Sequence, residues 1–405
     1  MDKKFYKMSR QERLDTLKPS AESRQIFENM ALNPEVANNL TENQISEFEI
    51  PLAVCFIKVD GKDFTVPMAT EEPSVIAAAN NGAKLADNFS ILKNDRLMSG
   101  QIVFHDVQDS QALSTTIVAQ RKQIFELALT SYPSIYKRGG GLIDYTCHSY
   151  EDWLSVDFSF DTRDAMGANM INTMLEAIAN YFRGIFPNEK ILFAILTNEN
   201  CQCTTTVECR IPIEKIGLEV AKNIVKASDY AQVDSARAAT HNKGILNGVE
   251  AVVLATGNDS RGAVAAIYAG ADPHKGFSQW RVNNDNSELI GEITLSLPIA
   301  TAGGATHVLP KAIAAHELLK NPDAKQLAAI IASIGLANNL AALKALVTKG
   351  IQAGHMSLQA RSLALSVGAR GQEIDQLTEA LKKADHLNAE TARKLLEAIK
   401  NPSVS

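Results

Sequence analysis

The sequence predicts an α+β protein: a large helix-rich unit, a small unit inserted within it, and a helical C-terminal segment. Three observations predict this. Residues 52–59 and 64–68 are apolar strand-like runs flanking Asp60-Gly61-Lys62-Asp63, a hairpin signal. Residues 100–197 switch between the periods of strand and helix in the order β-α-β-β-α-β. Alanine-rich stretches at 74–88 and 311–348 place apolar residues at helical spacing.

Each element follows in turn. Residues 9–50 are polar and helical and end at Glu49-Ile50-Pro51. Beyond the hairpin and the 74–88 helix, a strand at 102–107 precedes a long helix at 111–129. Gly139-Gly140-Gly141 leads to strands at 142–148 and 153–160; the second alternates Val156, Phe158 and Phe160 with Ser155, Asp157 and Ser159. A helix at 168–182 and an apolar strand at 191–196 close the unit. Its order is the split-βαβ, ferredoxin-like arrangement. A strand at 204–213 returns the chain to the larger unit, which contains an apolar strand at 249–255, a strand at 288–296 and the 311–348 helices. After Gly350 the last segment is helical and charged, with too few apolar residues for its own core, which fits a mobile terminal lid. The expected divisions are 1–98, 99–198, 199–350 and 351–405.

A chain of 405 residues fits two to three domains, and 45% hydrophobic with 21% charged residues is an ordinary globular balance. The net charge of −6 argues against nucleic acid or an anionic membrane as the main partner. No apolar run approaches the ~18–20 residues that span a bilayer. The start, Met-Asp-Lys-Lys-Phe-Tyr, lacks the apolar stretch of a secretory signal. Five cysteines, Cys55, Cys147, Cys201, Cys203 and Cys209, fit a reducing cytosol. Cys201-Gln202-Cys203 with Cys209 lacks a fourth ligand at zinc spacing, so no metal site is expected.

Four segments carry candidate chemistry. Pro67-Met68-Ala69-Thr70-Glu71-Glu72-Pro73-Ser74 pins two carboxylates before a helix. A helix start offers unpaired N–H groups, and adjacent like charges raise one pKa, which favours a proton donor. Thr162-Arg163-Asp164-Ala165-Met166-Gly167-Ala168-Asn169 joins a strand to a helix, a place for phosphate, although the G-x-G-x-x-G fingerprint is absent. Thr301-Ala302-Gly303-Gly304 is equally open to close approach. In the third segment, Lys243 lies among Asn242, Gly244 and Asn247, away from any charged helix face, and Asp259 ends an apolar strand. A lysine beside an aspartate stabilises a developing oxyanion, and Asn258-Asp259 also reads as a helix cap. In the fourth, Gly354-His355 opens the terminal helix, where the dipole disfavours the imidazolium.

Together with Glu42-Asn43-Gln44-Ile45-Ser46, these motifs resemble, in register, 3-hydroxy-3-methylglutaryl-coenzyme A reductase in its soluble bacterial, class II form. The resemblance covers roughly residues 40–370. It implies reduction of a hydroxymethylglutaryl thioester to mevalonate and free coenzyme A by two nicotinamide hydrides. It implies catalytic roles for Glu72 (proton donor), Lys243 (carbonyl polarisation), Asp259 (tuning of Lys243) and His355 (protonation of the leaving thiolate). Ser74, Arg237, Asn247 and Asn339 would bind the substrate. Asp164, Met166, Gly167, Ala168, Asn169 and Gly303 would hold the cofactor. It further implies a large substrate domain, a ferredoxin-like cofactor domain, a C-terminal flap, and a homodimer or higher oligomer with its site at the interface, located in the cytoplasm.

Relatives that use NAD place an acid before the triple glycine. Residues 131–138 here have no carboxylate and end in Lys137-Arg138, so NADPH is the expected cofactor, with NADH possible. Degradative, NAD-dependent oxidation of mevalonate remains an alternative. Two others are a non-catalytic sensor of a coenzyme A thioester and a thioester hydrolase.

Overall fold

The computed structural model describes residues 7–400 apart from 30, 31, 34–36, 38, 39, 201, 349–359 and 385. The strands are β1 (Leu52–Val59), β2 (Lys62–Ala69), β3 (Phe89–Asn94), β4 (Met98–His105), β5 (Gly141–Tyr150), β6 (Trp153–Asp161), β7 (Lys190–Thr197), β8 (Thr204–Pro212), β9 (Ser278–Val282) and β10 (Glu288–Ser296). They form a six-stranded sheet, β2-β1-β3-β8-β10-β9, and a four-stranded sheet, β5-β6-β4-β7.

The hairpin forms as its sequence directs. Asp60 and Gly61 have φ of 46° and 73°, both left-handed, so the turn takes two residues and Val59 pairs with Lys62. β2 therefore starts two residues before the run read from the sequence.

In the smaller sheet every pairing is antiparallel, with β4 between β6 and β7 and β5 on β6. Ile102, Phe104, Phe158 and Phe160 are buried with Ile171, Leu175, Ile178 and Phe182 of the Ala168–Ile185 helix. The long helix expected at 111–129 is two helices, Ser110–Ala119 and Arg121–Ser131. The break lies where the Tyr145 hydroxyl donates to the carbonyl of Ile117 at 3.2 Å, competing with the helical donor one turn on.

The chain crosses between the sheets twice, and the crossings pair: Asp95 N donates to the Thr204 carbonyl and Leu97 N to the Gln202 carbonyl, each at 2.9 Å.

Three helices pack on the larger sheet and on one another: Pro73–Ala86, Ser235–Ala255 and Ala324–Leu346. Residues 249–255, read from the sequence as a strand, are the last two turns of Ser235–Ala255. Val249, Val252 and Val253 are fully buried, and only Glu250 and Leu254 are exposed, so the stretch reads as a nearly continuous apolar run. Lys243 is accordingly on a helix, and Asp259 ends no strand. The Ala324–Leu346 helix is long and apolar enough to cross a membrane, contrary to the sequence reading, but 83% of its apolar window is buried inside the protein. A β-carbon at Gly82 would lie 1.9 Å from the Ala337 carbonyl oxygen, so a glycine lets these two helices touch at the backbone.

The C-terminal segment also departs from expectation. Ala360 and Ala364 bury a small core together with Leu377 and Leu381 of Gln372–Lys382 and Ala392 and Leu396 of Ala389–Lys400. Alanines at helical spacing supply apolar surface that a count of large hydrophobic residues misses.

Candidate active site

A cleft of about 450 Å³ opens between the three helices of the larger unit. Glu72 is the N-cap residue of Pro73–Ala86, in extended conformation at φ −95° and ψ 109°. Its carboxylate caps no backbone N–H and turns to the cleft. Ser74 Oγ donates to Glu72 Oε1, and Lys243 Nζ is 3.6 Å from Glu72 Oε2. Lys243 is 65% exposed and Glu72 39%, so the pair stands at the cleft mouth.

Arg237, His241, Lys243 and Asn247 reach the same cleft from Ser235–Ala255. Spacings of three and four residues put 237, 240, 241, 243, 244 and 247 on one helix face. That helix starts cleanly because the Asp234 carboxylate accepts Arg237 N at 2.6 Å.

The floor is a buried polar network. His241 Nε2 lies 2.7 Å from Ser278 Oγ and 3.1 Å from Asn339 Nδ2. Asn339 Oδ1 accepts from Ser278 Oγ and Trp280 Nε1, both at 2.8 Å. Burial, reinforced by the Arg237 charge, pushes the His241 pKa down to about 4, so the ring is neutral. His241 Nδ1 and Arg237 Nε are buried without a partner among the described residues. Asn339, expected to bind substrate, is 2% exposed, and its amide is engaged by the network.

A second cleft, of about 550 Å³, lies between the two sheets' units. Met166, Gly167, Ala168 and Asn169 line one side, Gly303 and Gly304 another, and Gly257 to Asp259 with Arg261 to Ala263 a third. Gly167 caps the Ala168–Ile185 helix at φ 92°, and a β-carbon there would lie 2.5 Å from Thr162 Cγ2. No side chain caps that helix, so its first N–H groups are open to an anion. Gly303 and Gly304 also have positive φ, and the space beside them is empty to 4 Å. Bare backbone and a helix start without a side-chain cap, facing one cleft, fit a dinucleotide pyrophosphate.

Sequence-predicted residues thus divide between two clefts. Glu72, Ser74, Arg237, Lys243, Asn247 and Asn339 meet in the first. Asp259 lines the second, where it accepts Arg261 N and lies 3.2 Å from Arg261 Nε; within one chain it does not meet Lys243. Arg138 reaches the second cleft, whereas Lys137 is not among its lining residues. Asp164 lies behind it, with Oδ1 accepting Ala324 N at 2.9 Å. His355 lies outside the described residues. Sequence reading missed His241, Asn338, Tyr132 and Arg261 as lining residues; for His241, its place one turn after Arg237 was the available signal. Among the described residues no three His, Cys, Asp or Glu side chains come together as a metal site.

Residues 9–360 match the family model described as hydroxymethylglutaryl-coenzyme A reductase. The chain belongs to the hydroxymethylglutaryl-coenzyme A reductase family. Among curated relatives, the reductase of Archaeoglobus fulgidus is 36% identical over 98% of this chain and 94% of its own length. A probable reductase of Borreliella burgdorferi is 30% identical over 82% and 79%. Among solved structures, a class II reductase from Streptococcus pneumoniae, bound to NADPH in open conformations, is 41% identical, with a TM-score of 0.77 over 97% of this chain and 100% of that one. A second structure of the Streptococcus pneumoniae reductase is 42% identical, with the same TM-score over 98% and 99%. Membership makes this chain a nicotinamide-dependent oxidoreductase.

Proposed function

We propose that this protein reduces 3-hydroxy-3-methylglutaryl-coenzyme A to mevalonate and free coenzyme A, using two equivalents of NADPH, in the mevalonate route to isoprenoid precursors. The observation that carries the reading is the Lys243–Glu72 pair at the mouth of the first cleft, with Arg237 on the same wall. When bound, reduced nicotinamide supplies the hydride in each reductive step.

The chain's own residues supply the rest. Lys243 donates to the thioester carbonyl oxygen and holds the negative charge that develops there. Glu72 delivers the proton as aldehyde becomes alcohol, and Ser74 fixes its rotamer. Arg237 and Asn247 bind the terminal carboxylate, the guanidinium by paired charge-assisted bonds. Asn339 and neutral His241 hold the floor against which the acyl chain packs. His355 protonates the departing thiolate.

Asp259 enters this scheme from the second cleft. Its separation from Lys243 within one chain supports a homodimer in which one subunit's second cleft faces the partner's first. On the same reading, residues 1–98 and 199–350 form the substrate domain, 99–198 a ferredoxin-like cofactor domain, and 351–405 a flap. The β5-β6-β4-β7 order, with the helices packed in one core with the sheet, supports the ferredoxin-like assignment. Met166, Gly167, Ala168, Asn169 and Gly303 would hold the dinucleotide, and the cytoplasm would be its compartment. The absence of a carboxylate from residues 131–138, with Arg138 in the second cleft, favours NADPH over the NAD-dependent degradative direction.

Incubation of the purified protein with the thioester and NADPH, read by mass spectrometry, tests the proposal. Mevalonate is the expected product. Free hydroxymethylglutarate, the product of plain hydrolysis, or unchanged thioester would refute it.

A further inference from the structure

The segment from β6 to the Ala168–Ile185 helix has two sides. Residues 166–170 face the second cleft. Ala165 lines that cleft too, whereas Arg163 and Asp164 line a third cleft of about 660 Å³ at the crossings between the two sheets. Arg96 stands there, in the crossing itself, and is 7% exposed. Its Nε donates to the Arg163 carbonyl at 2.6 Å and its Nη2 to the Ala165 carbonyl at 2.9 Å.

The residue between those carbonyls is tied down as well. The Asp164 carbonyl accepts Thr301 N at 2.9 Å and Ala302 N at 3.0 Å, and its carboxylate accepts Ala324 N. All three carbonyls of 163–165 are therefore engaged from behind. Arg96 holds two of them with one side chain, which a planar guanidinium does and a point-charge ammonium does not. Asp161, Asp164 and Asp323 share the third cleft with Arg96 and balance its charge, so the guanidinium is held there while its N–H groups serve the two carbonyls.

We propose that Arg96 is a positioning residue for the dinucleotide. Its two-point hold on the Arg163 and Ala165 carbonyls sets the turn that aims the open N–H groups at the start of Ala168–Ile185 into the second cleft. Arg96 is not among the residues lining that cleft, so its loss removes no direct contact there. The inference rests on the reading of the second cleft as the NADPH site.

The test compares wild type, Arg96→Lys and Arg96→Met in the full chain. NADPH affinity is read by fluorescence titration, KM for the thioester by turnover, and protection of amides 166–170 by hydrogen exchange. Loss of one charge-assisted hydrogen bond corresponds to about tenfold in a dissociation constant. Arg96→Lys is therefore expected to weaken NADPH about tenfold and Arg96→Met more, with thioester KM unchanged and faster exchange at 166–170. Unchanged NADPH affinity in the conservative Arg96→Lys variant overturns the inference. So does an equal rise in thioester KM, which marks a general structural brace. A wild type that binds no NADPH overturns the reading of the second cleft itself, and this inference with it.

Discussion

Lys243 Nζ lies 3.6 Å from Glu72 Oε2, joining the middle of the Ser235–Ala255 helix to the N-cap of Pro73–Ala86. An ion pair this exposed contributes only about 0–1 kcal/mol to stability. Removing it should therefore separate function from folding. Lys243→Ala is expected to lower kcat by about a hundredfold or more, the usual effect of deleting an oxyanion donor. Its unfolding free energy should stay within about 1 kcal/mol of wild type. Steady-state assays beside urea melts check both, and an active Lys243→Ala variant would remove the residue from the mechanism.

His241 gives a pH dependence of definite sign. Its ring stays neutral in the fold down to about pH 4, whereas an unfolded histidine protonates near 6.5. Above pH 6.5 it contributes nothing to the pH slope. Between 6.5 and 4 the unfolded chain binds a proton that the native chain does not, so stability falls as pH falls. The full loss is about 3 kcal/mol from this group. Nitrogen-15 NMR of the imidazoles should show His241 uncharged at pH 5.5. A charged ring at that pH would contradict the buried network with Ser278 and Asn339.

Gly82→Ala tests the helix contact beneath the first cleft. The added β-carbon would lie 1.9 Å from backbone, at the Ala337 carbonyl oxygen, which no rotamer change relieves. A loss of about 3 kcal/mol or more is expected in chemical denaturation, the upper range for overpacking. A loss under about 1 kcal/mol would mean that the two helices sit farther apart.

Cofactor choice is expected to follow Arg138 more than Lys137, because only Arg138 is among the residues lining the second cleft. Arg138→Glu should lower the NADPH/NADH ratio of kcat/KM about tenfold or more by setting a carboxylate against the 2′-phosphate. Lys137→Glu should change it less. Equal ratios in wild type and Arg138→Glu would move the selector elsewhere.

Much of this architecture was legible in the sequence because local signals and tertiary demands agreed. Asp60-Gly61 permits only a tight turn, and the β6 alternation of Val156, Phe158 and Phe160 fixes its buried face. The signal failed where burial is nearly complete. Residues 249–255 carry one polar residue, the exposed Glu250, too little to reveal a helical period, so buried valines looked like a strand. The C-terminal core was missed because alanines build it. Of the site, Glu72 announced itself by its flanking prolines. The meeting of Lys243 with Glu72 could not be read locally, since 170 positions and a helix-helix packing separate them. The commitment of Asp164 to Ala324 likewise depends on a contact between distant segments.

The most direct measurement counts NADPH oxidised per coenzyme A released by the purified protein supplied with 3-hydroxy-3-methylglutaryl-coenzyme A. A cleft in which Lys243 and Glu72 act on both the thioester and the aldehyde predicts two. Coenzyme A released with no NADPH consumed, or a ratio that stays at one with free aldehyde accumulating, would contradict it.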